Sequence, residues 1–231
     1  MKRIMLCLSI LAMVSYQTSA QKQAERKDIS ADDILCALEM SGTFLYSFCF
    51  DSFNDEVYEI SPFAEEYIDG KRIDKDINFS FGKSKVDVRQ FGDKADSGRE
   101  LYGMAPSDSI YTKLSDIGIY IINGNDSTVR SCINIKNIGT IDSVLKKRTA
   151  TKGPDKGKFI NYSHRPFRMI PQEGNCIHIP LVLYGSYWYD DQCDLYRFCG
   201  DKEISPDMSS EILKNIPHYF IIGIDLRKTV L

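Results

Sequence analysis

Ile117-Gly118-Ile119-Tyr120-Ile121-Ile122-Asn123-Gly124-Asn125-Asp126-Ser127-Thr128-Val129-Arg130-Ser131-Cys132-Ile133-Asn134-Ile135 reads as two β-strands joined by a turn. The first arm is dense in β-branched and aromatic residues, which suit a pleated, half-buried surface. Asn123-Gly124 is the pair that tolerates the positive φ angles of a tight hairpin. In the second arm Val129, Ser131, Ile133 and Ile135 alternate with Arg130, Cys132, Asn134 and Lys136. That period of two buries one face and wets the other.

Outward from this hairpin the pattern stays that of strands. Residues 43–50 put Phe44, Tyr46, Phe48 and Phe50 on one face. Residues 77–81 and 85–91 flank Gly82-Lys83-Ser84 and predict a second hairpin. Residues 176–184 alternate again, with Ile177, Ile179, Leu181 and Leu183 on one side. Residues 219–227 form the last strand, with Phe220, Ile222, Ile224 and Leu226 inward. Helices are fewer. One starts at Ser30, whose hydroxyl caps it and whose followers Asp32 and Asp33 suit the positive end of the helix dipole; Gly42 ends it. Another is predicted over 206–216, with Ser205 as cap, Pro206 in the first turn and Met208, Ile212 and Ile216 on one face. The polar stretch 148–158, with Gly153-Pro154, reads as a loop. Strands do not alternate regularly with helices and no repeat appears, so a doubly wound fold is not expected. The expectation is a β-rich α+β fold: a mainly antiparallel sheet or sandwich with two or three peripheral helices.

Composition agrees with a folded chain. Of 231 residues, 43% are apolar and 26% charged, too apolar for disorder and too mixed for a coiled coil. The net charge of −3 lacks the basic excess that nucleic-acid binding needs.

The first twenty residues follow the plan of a secretory signal peptide. Lys2 and Arg3 supply a positive start, residues 4–14 are apolar or small, and residues 15–20 are polar and end in Ser19-Ala20. The apolar run is too short to span about 30 Å of hydrocarbon. Cys7 lies inside that run, without the small residues a lipidation site would place before it. Cleavage after Ala20 would leave Gln21 at the start of a single mature domain, 21–231, with a loose arm over 21–28. No later stretch approaches the roughly eighteen apolar residues of a membrane span. The protein is therefore expected outside the cytoplasm, in a bacterial periplasm first and the extracellular medium second.

Six cysteines remain beyond the signal: Cys36, Cys49, Cys132, Cys176, Cys193 and Cys199. An even number in an exported chain predicts disulfides. Cys132 and Cys176 fall on the polar register of alternating strands, and would share a face if those strands were neighbours. Cys193 and Cys199 bracket a short loop; Cys36 and Cys49 would tie the first helix to the first strand. No CxxC occurs, so neither a thioredoxin-type site nor a zinc ribbon is indicated. His164, His178 and His218 have no metal-binding spacing, though His178 or His218 beside a cysteine would make a nucleophile pair. GxGxxG, GxxxxGK[ST] and GxSxG are absent, and no cofactor or metal is expected. The acid pairs Glu65-Glu66 and Asp190-Asp191 read as solvated turns. Asn-x-Ser sequons occur at Asn78, Asn125 and Asn161.

Residues 184–196 hold Tyr184, Tyr187, Trp188, Tyr189 and Tyr196 with Asp190, Asp191 and Asp194; Trp188 is the chain's sole tryptophan. Tyr and Trp give large contact area at little entropic cost and dominate binding hot spots. The same rings could instead continue the preceding strand into the core, and the sequence leaves both readings open. The segment points to a non-catalytic binding protein of the bacterial cell envelope engaging another envelope or secreted protein, for instance as an immunity-type inhibitor of a toxic enzyme. A carbohydrate-binding or adhesion module is the alternative, and an exported hydrolase with unidentified acids the third. Mass spectrometry of the exported protein should find Gln21 at its N-terminus; retention of residues 1–20 in that form would overturn the signal assignment.

Overall fold

A computed structural model describes residues 26–77, 79–136 and 138–231. The expected signal peptide and cleavage point, the first residues of the expected arm and the sequon at Asn78 lie outside the described residues. The chain divides into a short N-terminal unit ending at Cys36 and a body from Ala37 to Leu231. Helix α1 (Ala31–Met40) begins where its cap predicts. The Asp33 N–H donates to the Ser30 hydroxyl oxygen, and the Ser30 N–H returns the bond to the Asp33 carboxylate at 2.8 Å. This reciprocal box satisfies two amides that a helix start otherwise leaves unpaired.

In chain order the strands are β1 (Thr43–Cys49), β2 (Tyr58–Ile68), β3 (Lys71–Asp76), β4 (Gly82–Lys83) and β5 (Lys85–Asp87). Then follow a short helix α2 (Ala95–Leu101), β6 (Ile110–Thr112), β7 (Asp116–Asn125), β8 (Thr128–Ile135) and β9 (Gly139–Lys146). The C-terminal part adds β10 (Tyr162–Pro166), β11 (Cys176–Ser186), β12 (Trp188–Asp190), β13 (Leu195–Arg197) and β14 (His218–Lys228). Among the described residues the two larger antiparallel sheets are ordered β1-β7-β8-β9 and β10-β11-β14-β2-β3, with β4 also on β2; β5-β6 and β12-β13 form two-stranded sheets of their own. The β-rich α+β expectation holds.

The two sheets bury a common core. Ile117, Ile119, Ile121, Ile133 and Ile135 from one meet Ile60, Ile179, Phe220, Ile222 and Ile224 from the other, all at 4% exposure or less. Each such side chain contributes about 2 kcal/mol by leaving water. The outer face of the larger sheet is covered as well. Phe63, Leu183, Tyr219 and Ile221 pack there under Phe167, Ile204, Ile212, Leu213 and Ile216 from the returning chain. β14 is thus buried on both faces along most of its length.

Several local expectations change. The β7–β8 hairpin turns at Asp126-Ser127, three residues beyond Asn123-Gly124. Gly124 sits at a register shift, and the Asn125 side chain closes the turn by accepting the N–H groups of Ser127 and Thr128 at 2.9 and 2.8 Å. In β11 the register shifts between Pro180 and Val182, so the alternation inverts. Val182 and Tyr184 join Ile177 and Ile179 in the sandwich core, whereas Leu183 turns to the outer face. Residues 77–91 make no hairpin with each other: β4 pairs with β2, and β5 with β6. The Ser84 hydroxyl holds this crossing by accepting the Tyr58 N–H at 2.9 Å. Over 206–216 only Glu211–Lys214 is helical, and as a 3₁₀ turn. Met208 takes φ +63, and Asp207 captures both the N–H and hydroxyl of Ser209, a local bond that competes with helix.

The six cysteines beyond residue 20 are free thiols, Cys132 buried and the others exposed. The expected Cys132–Cys176 bridge fails because the strands are not neighbours. Cys132 in β8 lies between Tyr120 and Asp142, and Cys176 in the other sheet lies beside Arg227. Cys193 and Cys199 are both free, and the Arg197 side chain lies near each, donating toward Cys193 at 3.8 Å.

At Gly223 the crossing of β14 and β11 leaves no room for a side chain. A Cβ there would lie 2.2 Å from the Ile179 carbonyl oxygen and 2.6 Å from the Phe63 ring. Gly223→Ala should cost about 3 kcal/mol by overpacking, read as a lower denaturation midpoint at unchanged slope; wild-type stability would refute this account of the packing.

Candidate ligand-binding cleft

The outer side of the larger sheet carries a cavity of about 610 Å³ at the end where β2 turns into β3. Its rings come from three places: Tyr67 at the end of β2, Tyr219 at the start of β14, and Tyr187, Trp188, Tyr189 and Tyr196 from the β12–β13 hairpin. Residues 150–152 form one wall, and residues 213–217 with Met208 another. The volume falls within the roughly 300–1,000 Å³ of small-ligand sites. A second depression of about 550 Å³ shares Trp188, Tyr189 and Asn215 with it and continues to Asp190, Asp191, Gln192 and Arg197.

Each ring is fixed by its local chemistry. Tyr67 and Tyr219 stack with centroids 4.9 Å apart and planes 8° from parallel, and the Tyr67 hydroxyl donates to Glu65 at 2.9 Å. Trp188 opposes Arg197 across the hairpin and packs beside Phe198. The Tyr196 hydroxyl accepts the Asp155 N–H and donates to the Lys152 carbonyl, so the hairpin grips the 150–157 loop. Gly153, at φ +80, lets that loop come down on Tyr189; a Cβ would lie 2.6 Å from the ring. The loop is also closed on itself, through Ala150 N–H to Lys158 carbonyl and Gly157 N–H to Ala150 carbonyl bonds.

The sequence-predicted segment divides. Tyr187, Trp188, Tyr189 and Tyr196 line the cleft. Tyr184 does not: it is fully buried in the sandwich core, its hydroxyl donating to Asn123 at 2.8 Å. It precedes the end of β11, on the inner face of the sheet. Asp190 is taken up by Arg197 and by the Gln192 N–H at 3.0 Å, and Asp194 by the Tyr189 hydroxyl. Those bonds hold the Asp190 carboxyl below the usual range and push the Tyr189 phenol up to about 12. Asp191 stays exposed. Tyr67, Asp69, Lys152, Asn215 and Tyr219 were not singled out by sequence. They are far apart along the chain, and the loop reading of 148–158 and the strand reading of 219–227 gave no sign that Lys152 and Tyr219 would meet the others.

Two histidine networks hold the sheet beneath. On the inner face the Tyr162 hydroxyl accepts the Arg148 N–H at 2.9 Å, so its own proton goes to His218 Nδ1 at 2.6 Å. His218 Nε2–H then donates to Glu66 Oε1 at 2.9 Å, which the Arg148 guanidinium also contacts at 2.9 Å. Burial holds His218 below its ordinary pKa, against the pull of Glu66. The network fixes Arg148, where the chain enters the loop that walls the cleft. On the outer face His178 stacks on Phe63, with Nδ1 on Asp225 at 2.7 Å and Nε2 facing Glu65 at 4.0 Å. Glu65, 1% exposed, also binds Arg72 at 2.7 Å. Glu65 and Glu66 are therefore not a solvated turn but the anchors of opposite faces. Neither His178 nor His218 has a nitrogen on a cysteine, so the Cys–His pair is not formed.

Among the described residues no group of three His, Cys, Asp or Glu could hold a metal ion, and no helix is long and apolar enough to cross a membrane. The chain belongs to the family described as a domain of unknown function, DUF5041, which it matches over residues 13–228, a stretch that includes the whole cleft. No curated protein and no solved structure matches it.

His164 bonds the Tyr46 hydroxyl and packs on Phe44, with centroids 3.8 Å apart, where the edges of the two sheets meet. Burial, aided by the Arg165 charge, pushes its pKa down to about 4 from 6.5. The unfolded chain takes up this proton first, so stability present above about 6.5 should be lost as pH falls toward 4. His164→Phe, which keeps the ring, should flatten that slope in denaturation measured across the interval. An equally steep loss in the variant would show that other groups carry it.

Proposed function

We propose that this protein is an exported, non-catalytic binding protein of the bacterial cell envelope, and that its ligand enters the aromatic cleft. The observation that carries the reading is the convergence of six rings from three separate parts of the chain on one concavity of about 610 Å³. Rings held by stacking and by hydroxyl bonds are pre-organised, so binding need not freeze them. The lining of the main cavity contains one carboxylate, Asp69. Glycoside hydrolysis ordinarily needs two carboxyl groups across one bond; Asp190 and Asp191 lie in the adjoining depression rather than opposite Asp69, and Asp190 is already bonded to Arg197, which favours binding over turnover. The envelope location rests on the signal-like residues 1–20.

The test is affinity capture of proteins and glycans from envelope extract, with thermal unfolding measured on each variant. Trp188→Ala should weaken capture by about 2 kcal/mol or more, as a hot-spot aromatic does. Trp188→Phe, which preserves packing against Phe198, separates loss of contact from loss of fold and should show an intermediate defect. Full capture by both variants would move the site elsewhere; turnover of any glycan, peptide or ester would replace the binding reading with an enzymatic one.

A further inference from the structure

The geometry points to a short neutral oligosaccharide as the ligand of the cleft, its chain running past Trp188 from the main cavity into the adjoining depression. The inference rests on the binding reading above and adds the chemical class. A sugar ring presents an apolar C–H face and a rim of hydroxyls, and it needs aromatic faces interleaved with donors and acceptors. The cleft supplies that mixture. Its rings are accompanied by the Asp69 carboxylate, the Thr151 hydroxyl and the Lys152 ammonium, which have no hydrogen-bond or ion-pair partner among the described residues. Asn215 lies where the two depressions join. A carboxylate accepts from two adjacent hydroxyls at once, and bonds to an ionised group are the stronger kind.

Other ligand classes fit less well. A fatty chain would leave Asp69 and Lys152 buried against hydrocarbon without partners, which is costly. A polyanion would find Lys152, but Lys214 and Arg197 are already paired with Glu211 and Asp190, and it would also meet Asp69 at one end and Asp191 at the other. The continuity of the two depressions through Trp188, Tyr189 and Asn215 favours an extended ligand over a single compact one.

Because Trp188 is the chain's sole tryptophan, its emission reports on the cleft without a label. The full chain is titrated with short oligomers of glucose, mannose and N-acetylglucosamine, and in parallel with a uronic acid oligomer and a fatty acid. A saturable emission change with at least one neutral oligomer is expected. Asp69 sits in a turn at φ +47, a conformation Asn tolerates, so Asp69→Asn removes the charge and keeps the fold. It should weaken that binding about tenfold, as should Asn215→Ala, the loss of one good hydrogen bond each. Silence of every neutral oligomer, or equal binding of the fatty acid, overturns the inference. So does glycan binding that both substitutions leave untouched. Capture of an envelope protein that depends on Trp188, with no glycan response, overturns the sugar and leaves the binding-protein reading standing.

Discussion

Burial of β14 on both of its faces is the constraint from which the rest of the body follows. Phe220, Ile222, Ile224 and Leu226 fill the sandwich core, while Tyr219 and Ile221 fill the core under the returning chain. A strand buried twice over needs partners on both edges, and β11 and β2 supply them over nearly its full length. It also needs close approach where the layers are tightest, which is why Gly223 stands beneath Phe63. A central strand of this kind turns the two faces of one sheet into two separate projects. The inner face closes a sandwich, and the outer face supports a cover built from Phe167 and residues 187–217.

Polar groups at the ends of this sheet are paired because leaving them unpaired would be expensive. Glu65 and Glu66 are adjacent in sequence and point to opposite faces, since successive strand side chains alternate. Glu65 gathers Tyr67, Arg72 and His178; Glu66 gathers His218 and Arg148. Through Tyr67 one network steadies a ring of the cleft, and through Arg148 the other steadies the entry to its loop wall. Fold and cleft are therefore coupled through two neighbouring carboxylates. The loop 150–157, polar and Gly-Pro-bearing, is held from both sides, by this anchor and by Tyr196.

Much of the fold was legible in the sequence because the alternation of apolar residues is a local consequence of burial. The β7–β8 hairpin, the shared face of Phe44, Tyr46 and Phe48, and the inward set of β14 follow from period two alone. The capping box of α1 follows from Ser30 and Asp33. Failures came where one residue breaks a period without a local sign. The register shift after Pro180 sends Leu183 to the far face. Met208 in the left-handed region stops a helix whose apolar spacing looked sound.

By itself the sequence determined a β-rich α+β body and picked Tyr187, Trp188, Tyr189 and Tyr196 as a ring-dense segment, since both facts reside in the order of neighbouring residues. Only the tertiary structure decided that Tyr184 is core and its neighbours cleft, because strand position and sheet face depend on pairing partners far along the chain. Only it separated Cys132 from Cys176 into different sheets. It alone brought Tyr67, Asp69, Lys152 and Tyr219 to those rings, since no local pattern records which distant segments a doubly buried strand will gather at its end.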